Sequence, residues 1–262
     1  MVTTPAAEAA GILWDAWAHG TRIPALPARC RPRDRAEGYA VQAALIRLAG
    51  VEVAGWKIAA TSEAGRRHLN VDGPLAGPLL ASRLAGPGCT IELRGNRMRL
   101  VEAEFAFRIA TPLLPRAVPY TFDEVKSAAS SLHPAIEVPD SRYEDVTAVG
   151  AAQLIADAAC AWRATIGEPA GVDWQARDLD DHVVLVFKDG RLVGEGRGEN
   201  VGGPLRALTW VANELATHAG GLRAGDLVIT GTCITPIPIA PGERVRVDFG
   251  DLGAIELSFR SD

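Results

Sequence analysis

Two glutamates, Glu102 and Glu104, alternate with apolar residues in the segment Leu100-Val101-Glu102-Ala103-Glu104-Phe105-Ala106-Phe107. In an extended strand, residues two apart share a face, so this pair projects side by side. Val101, Ala103, Phe105, Phe107 and Ile109 then form an apolar row on the other face. Adjacent carboxylates repel unless a cation lies between them, and Leu100 and Ala106, which flank the pair on its own face, are not polar. Without an ion the segment reads instead as a half-buried antiparallel strand with a wet face. A third carboxylate, Glu137, stands between Ile136 and Val138 in a short extended run that could equally be an edge strand with a solvated side chain. Three carboxylate oxygens suit a hard divalent ion, Mg2+ or Mn2+, and leave about three octahedral positions for water or substrate.

Lys57 occupies the most apolar context of any charged residue, Val53-Ala54-Gly55-Trp56-Lys57-Ile58-Ala59-Ala60, and Lys57, Lys126 and Lys188 are the only lysines among 27 basic residues. Its ammonium could be buried beside an anionic site, where it would offset charge or move a proton; alternatively its stem lies along Trp56 or Ile58 and the head reaches water. His68 and His133 are isolated in sequence, and each is either an acid/base group or an ordinary surface or core histidine. Arg142 fits a structural pairing with Asp140 or Glu144. The run Gly194, Gly196, Gly198, Gly202 and Gly203 matches no phosphate-loop spacing and carries Glu195 and Glu199, which would repel phosphate. A tight turn before a helix at Pro204 is the expectation there. Cys160 and Cys233 sit in no nucleophile signature.

The elements that must position these groups are legible as a change of texture. Residues 5–18 and Arg35 to Ala49 repeat apolar positions at helical spacing around a proline-rich loop. From about Val51, short β-like runs follow: Val53 to Ala59, Thr90 to Leu93, Arg97 to Ile109, Ala135 to Val138, His182 to Lys188, Arg191 to Gly196, Leu227 to Thr230, Arg244 to Phe249 and Ala254 to Phe259. Gly95-Asn96 and Asp189-Gly190 predict two hairpins. Helices are predicted at Phe122 to Ser131, Ala151 to Thr165 and Pro204 to Ala219. The class is α+β, with a mixed or antiparallel sheet and helices outside it.

Composition narrows the function classes. The 262 residues carry a formal charge of −5 with no basic patch interleaved with aromatics, which argues against a nucleic-acid groove. Met1 to Gly20 lacks the basic start of a secretory signal, and no apolar run reaches the roughly 18–20 residues of a membrane span, so a cytoplasmic setting is expected. Cys30, Cys89, Cys160 and Cys233 form no CxxC pair.

Seven segments, in order, carry a resemblance: Gly55-Trp56-Lys57-Ile58, Val71-Asp72-Gly73-Pro74, Glu102-Ala103-Glu104-Phe105-Ala106-Phe107, Glu137-Val138-Pro139-Asp140-Ser141-Arg142, Gly202 to Trp210, Ala224-Gly225-Asp226 and Pro238 to Gly242. From about Arg35 onward the chain resembles the 2-keto-4-pentenoate hydratases and the related 2-oxo-3-hexenedioate decarboxylases of the fumarylacetoacetate hydrolase superfamily. The resemblance implies a fumarylacetoacetase-like mixed β-roll, residues 51–262, behind a helical N-terminal lobe, residues 1–50. It implies a divalent ion, usually Mg2+, on Glu102, Glu104 and Glu137, with Lys57 as the active-site lysine. A homo-oligomer is usual among such proteins.

The implied reaction is hydration of a 2-hydroxy-2,4-dienoate to a 4-hydroxy-2-oxo acid in aromatic catabolism. Alternatives are decarboxylation of a 2-oxo-3-enedioate and a non-catalytic partner subunit. The chain departs from the family pattern at Leu75-Ala76, where an acidic partner of the lysine is usual; Asp72 or His68 could replace it. Ala156-Asp157-Ala158-Ala159-Cys160 lacks an amide and a hydroxyl that relatives carry, which implies a less polar part of the pocket.

Overall fold

Thr4 and Asp34 open the first two helices as N-caps, accepting hydrogen bonds from the backbone N–H groups of Ala7 (3.2 Å) and Glu37 (2.9 Å). These helices are α1 (Pro5–His19) and α2 (Arg35–Ala49), and each ends at a left-handed glycine, Gly20 or Gly50. The computed structural model describes residues 4–261; of the N-terminal stretch read above for targeting signals, Met1 to Thr3 lie outside the described residues. No described helix is long and apolar enough to cross a membrane.

After α2 come β1 (Val53–Ala59), α3 (Glu63–Leu69), β2 (Leu75–Leu80), β3 (Leu84–Ala85), β4 (Thr90–Glu92), β5 (Leu100–Ile109), α4 (Phe122–Ala128) and β6 (Ala129–Val138). The chain continues through α5 (Gly150–Ala156), β7 (Arg163–Ile166), β8 (Val183–Lys188), β9 (Arg191–Arg197), α6 (Pro204–His218), β10 (Leu227–Thr232), β11 (Ile237–Pro238), β12 (Arg244–Asp248) and β13 (Ala254–Arg260). One mixed sheet runs β2-β1-β10-β5-β6-β7-β3 with β11 added alongside β5; a second runs β4-β13-β12-β8-β9. The α+β expectation holds.

Several local expectations need correction. The helix expected over Phe122 to Ser131 stops at Ala128, because the following ten residues join β5 as an antiparallel strand. That strand lies between β5 and β7, so Glu137 is not on a sheet edge. The helix expected from Ala151 to Thr165 ends at Ala156; a tight turn with left-handed φ at Ala158, Ala159 and Cys160 then leads into β7. Asp189-Gly190 makes its hairpin, with Lys188 opposite Arg191 and both turn residues at positive φ. Gly95-Asn96 turns the chain but makes no hairpin, since β4 pairs with β13 and β5 with β6 and β10.

The apolar row of β5 drives the packing. Val101, Ala103, Phe105 and Phe107 are fully buried and face the second sheet's side of the core, where Val184, Val186, Val245 and Val247 are buried too. Phe105 meets Phe249 edge-to-face at 5.2 Å, and Phe107 meets Trp174 at 5.4 Å. Helix α2 packs on α1 and α5, and Ala9, Leu13 and Leu45 join the same continuous core. The opposite face of β5 therefore carries the glutamates.

Candidate active site

Strand register brings the carboxylates together. Glu102 on β5 lies directly opposite Glu137 on β6, and Glu104, two residues along β5, shares their face. One oxygen from each of Glu102, Glu104 and Glu137 lies within 4.8 Å of the others. Glu104 and Glu137 are fully buried, and Glu102 is half-buried. Glu104 Oε2 accepts a 2.6 Å hydrogen bond from the Gly231 N–H. A register shift between Ile229 and Thr232 bulges β10 there and turns that amide toward the carboxylate. Gly231 has φ +93°, and a Cβ at this position would collide with Thr61, so glycine is required.

Lys57 enters the same face from β1, two strands from β5. Its Nζ lies 3.0 Å from Glu137 Oε2 and donates a 3.0 Å hydrogen bond to the carbonyl of Ala159. That carbonyl belongs to the left-handed turn after α5. Gly77, opposite Lys57 on β2, makes room for the turn: a Cβ there would fall on the Ala158 carbonyl oxygen. Asp157 anchors the turn from behind, accepting from Ser141 Oγ (2.6 Å), the Arg142 N–H (3.0 Å) and the Arg142 guanidinium. Arg142 thus pairs with Asp157 rather than with Asp140 or Glu144, and Asp140 pairs with Arg22.

The charge balance of this group is unfavourable as it stands. Burial raises the carboxyl pKa values, Glu137 adds to the rise at Glu102 and Glu104, and Lys57 opposes it, with Glu102 reaching about 7 on balance. Burial lowers the Lys57 pKa, but the facing Glu137, Glu102 and Glu104 outweigh it and hold the ammonium protonated. With every group ionised, three carboxylates facing one ammonium leave two negative charges uncompensated, the charge of one divalent cation. Glu104 Oε1 and Glu137 Oε1 are buried without a hydrogen-bond partner, and Glu137 Oε2 meets Lys57 as an ion pair only. Orphaned, converging hard oxygens fit a divalent metal ion.

A cavity of about 510 Å³ opens onto this group, lined by Lys57 and Glu102 at its acidic end. The loop after β1 and α3 line it through Thr61, Ser62, Ala64, His68 and Leu69; β5 and its approach supply Met98 and Leu100. Thr232 to Pro236, Cys160, Glu195 and Asn200 complete the wall.

No family model matches the chain. The 2-keto-4-pentenoate hydratase of Burkholderia vietnamiensis (strain G4 / LMG 22486) is 31% identical over 257 residues, covering 97% of each chain. The chain belongs to the 2-keto-4-pentenoate hydratase family. A 2-keto-4-pentenoate hydratase of Dechloromonas aromatica (strain RCB) is 30% identical over 96% of this chain and 95% of its own. Among solved structures, the 4-oxalocrotonate decarboxylase from Pseudomonas putida G7, complexed with magnesium and adipate, superposes with a TM-score of 0.88 at 25% identity, covering 99% of this chain and 98% of that one. As a member of the hydratase family the chain is an enzyme, a hydro-lyase, with the fumarylacetoacetase-like fold.

The structure places the remaining candidates differently. His68 lines the cavity from α3, whereas Asp72 is exposed beyond that helix and is not on the cavity wall. His133 is a buried, satisfied histidine, bonded to Ser131 Oγ at 2.8 Å and to the Gly167 carbonyl at 2.9 Å, with burial lowering its pKa. Leu75 and Ala76 are fully buried, and β2 carries no acidic residue. Cys160 and Cys233 line the cavity, but burial pushes the Cys160 thiol up to about 12 and Cys233 higher still, which suits neither to nucleophilic work. Sequence reasoning missed the Gly231 N–H and the Ala159 carbonyl, because backbone groups leave no residue-type signature. Glu195 drew notice only as hostile to phosphate.

Proposed function

We propose that the chain adds water to a 2-hydroxy-2,4-dienoate of the 2-keto-4-pentenoate type, giving a 4-hydroxy-2-oxo acid, with Mg2+ held by Glu102, Glu104 and Glu137. The observation that carries this reading is the convergence of three carboxylates and one ammonium with two negative charges left over. When bound, a divalent ion supplies Lewis-acid polarisation of the substrate's carboxylate and C2 oxygens. In the first step the enol proton leaves the C2 oxygen and a proton arrives at C5. Water's oxygen then bonds to C4 and a proton arrives at C3, so one water is consumed.

Lys57, fixed between Glu137 and the Ala159 carbonyl, stabilises charge at the C2 oxygen through both steps and is preorganised to do so. Its protonated state makes it a donor rather than a base. His68, on the cavity wall, carries the proton on the water side. Leu69, Met98, Leu100 and Ile234 give part of the wall an apolar surface. The same site chemistry serves loss of CO2 from a 2-oxo-3-enedioate, and the likeness to the Pseudomonas putida G7 decarboxylase favours that as the second reading.

Absorbance of 2-hydroxypenta-2,4-dienoate separates the readings. Loss of the diene band that depends on Mg2+ and falls by about 100-fold or more in Glu104→Ala is expected. A rate unchanged by Mg2+ or by the substitution would remove the site, and CO2 release from an enedioate without dienoate hydration would replace the reaction.

A further inference from the structure

Away from the active site, a smaller cavity of about 140 Å³ lies where the end of α1, the turn after β2 and the start of β7 meet. None of its lining residues lines the larger cavity. Five arginines line it, and three of them are paired: Arg22 with Asp140, Arg142 with Asp157, and Arg94 with Glu92 at 2.9 Å. Arg83 and Arg163 are not. Neither guanidinium makes an ion pair or a hydrogen bond among the described residues, and Arg163 Nε is buried without a partner. Aromatic rings hold both instead. Arg83 lies over Trp17, 5.1 Å from the ring centroid, and Arg163 lies over Trp162, also at 5.1 Å. Arg142 shares the Trp17 ring at 4.1 Å. Stacking positions a guanidinium and leaves its charge intact. Burial, and then the charges of Arg163 and Arg142, lower the Arg83 pKa, so like charges crowd this group. The surplus at this cavity is two positive charges on positioned donors.

We infer that this cavity binds a small dianionic oxyanion of the phosphate or sulfate type, held by Arg83 and Arg163. A tetrahedral dianion compensates both charges and offers acceptor oxygens to both forks, whereas a single carboxylate compensates one. A cavity of about 140 Å³ takes one such group and is too small for a nucleotide.

The test is calorimetric titration of inorganic phosphate into the full chain with Mg2+ at about pH 8, where phosphate is mostly a dianion, with ionic strength held by sodium chloride. One phosphate per chain is expected, with affinity lowered about tenfold or more in Arg83→Gln and in Arg163→Gln. Arg191→Gln, at an exposed arginine on the β8–β9 hairpin, should leave it unchanged. Sulfate should substitute for phosphate, and acetate should bind about tenfold or more weakly. Melting each protein with and without phosphate compares a variant only with itself. Phosphate should raise the Tm of the unsubstituted chain and of Arg191→Gln, and should leave Arg83→Gln and Arg163→Gln nearly unmoved. If Arg163→Gln fails to fold, the Arg83→Gln comparison decides alone. Absence of phosphate binding overturns the inference, as does acetate bound as tightly as phosphate. An ion that Arg83→Gln leaves in place sits at the acidic group or on the surface, and overturns it too.

Discussion

Lys57 and a metal ion would compete for one oxygen. Its ammonium lies 3.0 Å from Glu137 Oε2, within the group whose oxygens converge for a cation. Lys57→Met should therefore move two properties in opposite directions: Mg2+ affinity rises about tenfold as a positive charge is removed, and turnover of the dienoate falls about 100-fold or more. Calorimetry and the diene assay on one preparation check this; loss of both would make the lysine a structural prop. The carboxyls give a second expectation. Burial and Glu137, opposed by Lys57, raise Glu102 from 4.5 to about 7, so the folded, metal-free protein holds a proton that the unfolded chain releases. That contribution to stability is complete below about pH 4.5 and is lost as pH rises toward about 7. Mg2+ needs the ionised carboxylates, so the rise in Tm on adding Mg2+ to the stripped protein should be small near pH 5 and large near pH 8. A rise independent of pH would place the ion elsewhere.

At the level of elements, the site depends on a turn that the sequence does not announce. Three consecutive non-glycine residues, Ala158, Ala159 and Cys160, adopt left-handed φ to aim one carbonyl at Lys57, and this strain is held by Asp157, Arg142 and the gap at Gly77. Gly77→Ala would push a methyl group onto the Ala158 carbonyl; a stability loss of about 2–4 kcal/mol by denaturant unfolding is expected, with turnover falling further than stability alone explains. Near-normal activity in that variant would show that the turn does not position the lysine. The period-two alternation of β5 made Glu102 and Glu104 legible, and the apolar setting of Lys57 marked it, because burial leaves a trace in neighbouring residue types. The rest was not legible for physical reasons. Antiparallel register between β5 and β6, which sets Glu137 against Glu102, depends on pairing across distant segments. Residues 129–134 carry Ser, His and Pro and look unlike a central strand, and the alanines after α5 favour helix locally while tertiary contacts impose a turn. The short α3 and the buried β2, both missed, hold the cavity wall and the gap for the turn.

The whole molecule is two sheets and their helices packed so that one face of a central strand makes the core and its other face makes the site. Helices α1 and α2 belong to the same apolar core as the sheets, so the N-terminal segment supports the site through α5 and the turn that follows it. Three of the seven segments, those that hold Lys57, Glu102 with Glu104, and Glu137, converge on the acidic group. The central expectation for the molecule is that Glu102, Glu104 and Glu137 together hold a divalent cation. Calorimetric titration of Mg2+ into the chelator-stripped protein tests it most directly. One ion per chain should bind, with affinity lowered more than about 100-fold in Glu137→Gln; no heat of binding, or binding that Glu137→Gln leaves intact, would contradict it.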